Sequence, residues 1–135
     1  MLNVFLLLVM ICIFLSLKSF FTPLIIDKHL TIKNFIWLAV FYSTIALGFG
    51  MIYLLLELES YTVILELGRP IEGSYLYKLA TAMYFSSVTF FSVGYGDLSP
   101  VGIGRAIAAV QAFLGYVLPA AFVIKTVITF ENHER

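Results

Sequence analysis

A chain of 135 residues in which 61% are hydrophobic and 12% charged, with a mean hydropathy of +1.02, lies far from soluble domains, where roughly 25% of residues are charged. Its apolar surface is too large to hide in a water-soluble core, so lipid must be the solvent for most of it. Zero formal net charge with scattered basic residues argues against nucleic acid, and the single Cys12, inside an apolar run, reads as a packing residue with no disulfide or metal-ligand company.

A helix needs about 20 apolar residues to cross the hydrocarbon core, and three stretches qualify. The first is LNVFLLLVMICIFLSLKSFF, Leu2 to Phe21. It lacks a basic start, carries Lys18 at its far end and has no small-residue cleavage site after it, so it reads as a retained helix rather than a signal peptide. The second is FIWLAVFYSTIALGFGMIYLLL, residues 35–56, and the third runs from Arg105 to Phe130. Between them, residues 75–89 are apolar but too short to span, with Ser74 placed as an N-cap. Such a segment reads as a re-entrant half-span, and a glycine-rich loop follows it directly.

Basic residues set orientation. If all three stretches cross, Lys18, Lys28, Lys33, Lys125 and Arg135 share one side, against Arg69, Lys78 and Arg105 on the other. The bias puts the loop after the first helix and the C-terminal tail in the cytoplasm, and the N-terminus and glycine loop outside. Trp37 suits an interfacial anchor.

The loop reads FFSVGYGDLSP. Non-helical backbone at membrane depth is tolerated only inside protein or along a wet cavity. In SVGYG, ordinary residues alternate with Gly94 and Gly96, and glycine enters the left-handed region at almost no cost. A chain alternating right- and left-handed residues turns successive carbonyls the same way, so Ser92, Val93, Gly94 and Tyr95 would present a row of oxygens. One such row lacks donors; four around an axis make cages for a dehydrated cation. A nucleotide fingerprint needs G-x-G-x-x-G after a strand. Ser99 stands at the required glycine, and Gly48/Gly50 and Gly102/Gly104 fail the same test.

Ser92-Val93-Gly94-Tyr95-Gly96-Asp97 resembles the selectivity filter of tetrameric potassium channels, T-V-G-Y-G followed by Asp. The likeness covers residues 35–130 and omits the N-terminal helix. It implies an all-α membrane protein: two transmembrane helices flanking a re-entrant pore helix and filter, plus one extra N-terminal transmembrane helix, assembled as a homotetramer. Residues 1–33 would be the extra helix and a cytoplasmic loop. Residues 34–135 would be the pore domain, with outer helix 35–56, pore helix about 75–89, filter 92–97 and inner helix 105–130.

Residue by residue, the resemblance implies K⁺ held by the carbonyls of Ser92, Val93, Gly94 and Tyr95, with Gly96 also part of the K⁺-coordinating filter and the Ser92 hydroxyl completing the innermost site. Serine there replaces the usual Thr, and Phe91 replaces another. Thr89 matches a Thr that can bond the filter tyrosine. Tyr84 and Phe85 match an aromatic pair bracing the filter from behind, with Tyr84 able to reach Asp97. Val88 stands where some members carry Glu. Gly115 falls at the gating-hinge glycine. Independently of the family, Pro119 cannot bond the carbonyl four residues back, and that carbonyl is Gly115's. Small residues such as Ala108 and Ala112 suit close helix packing. The outer acids Glu57, Glu59, Glu66 and Glu72 would either concentrate cations or form a solvated loop.

The function expected is passive, K⁺-selective conduction by a multi-pass protein of the cell membrane. Its partners are lipid, K⁺ and three further copies, with a regulatory subunit left open. No cofactor, nucleic acid or enzymatic activity is expected: His29 and His133 lie apart in polar segments, with no nucleophile–base pair. A weakly selective cation pore, if Ser92 and Phe91 loosen the filter, and a non-conducting accessory subunit are the alternatives. The gating stimulus is not encoded in any recognisable sensor.

Overall fold

The computed structural model describes residues 2–21 and 32–131. The first loop with Lys28 and His29, and the tail with His133 and Arg135, lie outside the described residues. Four helices carry the fold: α1 (Leu2–Phe21), α2 (Ile32–Leu58), α3 (Tyr75–Phe90) and α4 (Gly104–Glu131). Each contains the stretch expected for it; α2 extends two or three residues past the predicted bounds, and α3 and α4 extend by single residues. Two stretches among the described residues are long and apolar enough to cross a bilayer, Ile36–Leu58 and Gly104–Ile124, while the apolar stretch of α1 reaches from Leu7 to Ser16.

Helix α2 is the hub. Gly48 and Gly50 are two residues apart, about 200° around a helix, so they open opposite sides of α2. At Gly48 a Cβ would press on Ile13 of α1, and at Gly50 on Met83 of α3. The pair that fails as a nucleotide fingerprint thus serves two helix contacts. The core gathers Ile45, Tyr53 and Leu54 of α2 with Ala82, Phe85 and Phe90 of α3 and Ala108 and Leu118 of α4. In a bilayer these contacts hold through close van der Waals packing and interhelical hydrogen bonds, since lipid is as apolar as the side chains.

One correction concerns the all-α expectation. Three short strands, β1 (Ile64–Glu66), β2 (Arg69–Pro70) and β3 (Leu98–Pro100), form an antiparallel sheet in the order β2-β1-β3. Strands of two or three residues are too short to show alternation. Their hairpin turn also carries no Asn-Gly signal: Leu67 and Gly68 occupy it at φ 49° and 81°, the positive pair that a tight hairpin turn requires. The sheet joins the loop after α2 to the chain leaving the glycine loop, with Leu65 opposite Ser99 and Glu66 opposite Leu98.

Glu57 anchors this outer structure from the end of α2. It is buried, and its Oε1 accepts the backbone N–H groups of Val63 at 2.7 Å and Ile64 at 2.9 Å. That removes it from the set of outer acids expected to face solvent. Ser74 caps α3, its Oγ accepting the Tyr77 N–H at 3.4 Å.

Candidate functional site

Helix α3 ends at Phe90 with carbonyls that have no partner inside the helix. The glycine loop supplies the donors. Phe91 N–H bonds Ser87 O at 2.9 Å and Ser92 N–H bonds Thr89 O at 3.1 Å. Val93 and Gly94 both donate to Val88 O, at 2.9 and 3.2 Å. The loop is therefore folded back onto the end of the helix that precedes it.

A trans peptide is planar, with each N–H antiparallel to the carbonyl of the residue before it, and the described chain has no cis bonds. Amides of Ser92, Val93 and Gly94 aimed into α3 consequently aim the carbonyls of Phe91, Ser92 and Val93 away from it. Positive φ recurs at every second residue: Ser92 at 57°, Gly94 at 55° and Gly96 at 83°. Val93 and Tyr95 between them are not in that region. The handedness thus alternates along the loop, and it begins at Ser92, two residues before the first glycine. Ser92 bears a side chain and takes the left-handed backbone at about 1–2 kcal/mol, a strain that the amide bonds on either side of it offset.

Within the single chain, nothing beyond the adjacent residues lies within 4 Å of a Cβ built on Gly94 or Gly96, so it is their positive φ that demands glycine within the chain. Residues 91–96 are exposed in the single chain, and Val93 and Tyr95 extend outward from it.

Behind the loop, the Tyr84 ring stacks on Tyr95 with centroids 6.5 Å apart and planes 9° from parallel, and its hydroxyl interacts with Asp97. The Asp97 carbonyl accepts the Leu67 N–H at 3.0 Å, which ties the outer end of the loop to the hairpin tip. Oδ1 of Asp97 is buried without a hydrogen-bond partner. Phe85 differs from its expected bracing role within the chain: it is buried and packs edge-on against Tyr53 of α2, with centroids 5.0 Å apart. Within the chain, Tyr84 faces the loop while Phe85, about 100° around the helix, faces α2.

Sequence reasoning missed the buried polar network under this arrangement. Gln111 of α4 donates from Nε2 to Ser86 O at 2.9 Å and to Ser86 Oγ at 2.7 Å, while its Oε1 accepts the Tyr53 hydroxyl at 2.9 Å. Ser86 Oγ in turn donates to Ala46 O at 2.6 Å. Three helices are thereby bolted together at one level. A Gln within an apolar helix was the available signal, because such a group must find partners at that depth.

One turn further along α4, Gly115 lies against the Phe90 carbonyl, where a Cβ would collide with that oxygen. Helix α4 continues through Pro119. The geometry brings together the loop, Thr89 and Tyr84, with Gly115 directly beneath the end of α3; Pro119 lies one turn beyond and is exposed.

Two spanning helices flank a half-length helix and a loop of alternating handedness, which is the architecture of a membrane pore. A family model described as "Ion channel" matches residues 46–132. The chain belongs to this family of pore-loop ion channels with two transmembrane helices, and is a membrane protein. It is similar to Protein LctB of Geobacillus stearothermophilus, at 39% identity over 121 residues covering 89% of each chain. Protein LctB of Bacillus caldotenax is 35% identical over 118 residues, covering 87% of this chain and 88% of the relative. No solved structure matches.

Proposed function

We propose that the protein is a potassium-selective channel, conducting K⁺ passively as a homotetramer. The observation that carries this reading is the alternation of positive φ at Ser92, Gly94 and Gly96, with the amides of Ser92, Val93 and Gly94 turned into α3. Carbonyls turned the other way have no donors of their own. Copies of the chain around an axis give them a dehydrated cation to coordinate, because rings of carbonyl oxygens replace its hydration shell.

In this reading the oxygens of Ser92, Val93, Gly94 and Tyr95 hold K⁺, the Ser92 hydroxyl completes the innermost site, and Gly96 belongs to the same filter. Tyr84, Thr89 and Asp97 support it within the chain, and Phe85 acts indirectly by fixing α3 on α2. The negative end of the α3 dipole aims toward the ion path. Gly115 and Pro119 form the moving part of the inner helix. The exposed Phe113 and Tyr116 of α4 would be covered by neighbouring copies or lipid. Helix α1 is a third span, with its N-terminus outside and the C-terminus cytoplasmic.

Liposomes reconstituted with the purified protein test this. K⁺ flux well above Na⁺ flux, blocked by Ba²⁺, is the expected result. Equal Na⁺ flux would mean a weakly selective pore, and no flux an accessory subunit; either would overturn the reading.

A further inference from the structure

Pro119 deletes one hydrogen bond from α4, and the Gly115 carbonyl is the acceptor left behind. Lipid offers that oxygen nothing. The structure gives it a donor from a different helix: the Tyr42 hydroxyl of α2 lies 3.2 Å from Gly115 O. Tyr42 cannot swing freely. Its ring packs on Phe90 with centroids 4.9 Å apart and on Phe91 at 6.1 Å, the two residues where α3 gives way to the filter loop.

We propose that Tyr42 latches the inner helix: its hydroxyl substitutes for the bond Pro119 removes and ties the weak turn of α4 to the outer helix and to the foot of the filter. This rests on reading Gly115–Pro119 as the moving part of a channel. A bond inside a helix moves with the helix. A bond between helices is broken when one shifts against the other, so displacement of α2 is felt at Gly115. The latch stabilises the arrangement described here, and its loss shifts the population away from that arrangement.

The test is a double-mutant cycle in the full-length assembly, with open probability and thermal stability as its two readouts. Tyr42→Phe keeps the ring contacts and removes only the donor. It should change open probability by about threefold to tenfold, the range expected for one hydrogen bond, and leave ion preference unaltered. Pro119→Ala restores an N–H for Gly115 O, and in that background Tyr42→Phe should have no further effect on either readout. Independent, additive effects would overturn the proposal. A cycle that couples in stability while open probability ignores Tyr42→Phe would overturn the gating role. Wild-type protein that carries no ion would sink the channel reading instead, and the stability cycle alone would then decide whether Tyr42 is the substitute donor.

Discussion

The Tyr53 hydroxyl donates to Gln111 Oε1 at 2.9 Å, and neither side chain has any exposed surface. Gln111 also spends its amide N–H groups on Ser86, so one residue of the inner helix holds both the outer helix and the pore helix. Buried networks of this kind fix register, because a slip leaves several polar groups unpaired at once. Replacing Gln111 with Met should strand the Tyr53 hydroxyl and lower stability by about 1–3 kcal/mol. Adding Tyr53→Phe should recover part of that loss. Thermal unfolding of the purified assembly checks both, and simple additivity would show that the two do not interact.

Gly115→Ala is a poorer test of hinge motion than sequence alone indicates. The added methyl would meet the Phe90 carbonyl, forcing α4 away from the end of α3. The expected cost is about 1–3 kcal/mol from overpacking, with filter stability disturbed as well. Pro119→Ala is cleaner, since Pro119 is exposed. It should change open probability in single-channel recordings and leave the K⁺/Na⁺ permeability ratio as it was.

Gly94 and Gly96 give a prediction about chirality. In the single chain open space surrounds both, while φ is 55° and 83°. L-alanine at either position should cost about 1–2 kcal/mol of backbone strain and abolish selective flux. D-alanine introduced by semisynthesis favours positive φ and should retain flux. Equal loss with both enantiomers would place the requirement in size instead.

Glu57→Ala leaves the buried N–H groups of Val63 and Ile64 without an acceptor. Stability should fall by about 1–3 kcal/mol, with proteolysis appearing first in the outer loop. Glu57→Gln keeps a carbonyl oxygen and should lose less.

The outer loop also has a pH limit. The Tyr77 hydroxyl donates to both carboxylate oxygens of Glu66, at 2.9 and 2.7 Å. That hydrogen bond chiefly, with desolvation and the Glu66 charge behind it, raises the Tyr77 pKa. Its contribution is complete below the ordinary tyrosine value of about 10 and is lost as pH rises through the higher folded value. Ultraviolet titration of tyrosinate in the Glu66→Gln variant should show one tyrosine ionising at lower pH than in wild type.

The helices were legible because each is a long apolar run or a short one capped by Ser74, and length against bilayer thickness sorts them. The alternating handedness of the glycine loop was legible at Gly94 and Gly96 because alternating glycines have few other uses at membrane depth. Ser92 was not read as left-handed, since nothing in an isolated serine announces positive φ; the amide bonds to Thr89 and Val88 impose it. The small sheet escaped notice because its strands, at two or three residues, are too short to show repeated alternation, and Leu67 is an unusual residue for its turn. Gln111 and Tyr42 were missed for another reason. Their partners lie 25 to 73 residues away, and only packing brings them together.

Ion density in the assembled protein tests the central claim most directly. A structure of the assembly in Rb⁺, a K⁺ mimic with strong anomalous scattering, should show stacked peaks on a four-fold axis, each ringed by oxygens from Ser92, Val93, Gly94 or Tyr95. Peaks elsewhere, or those oxygens turned away from any shared axis, would contradict it.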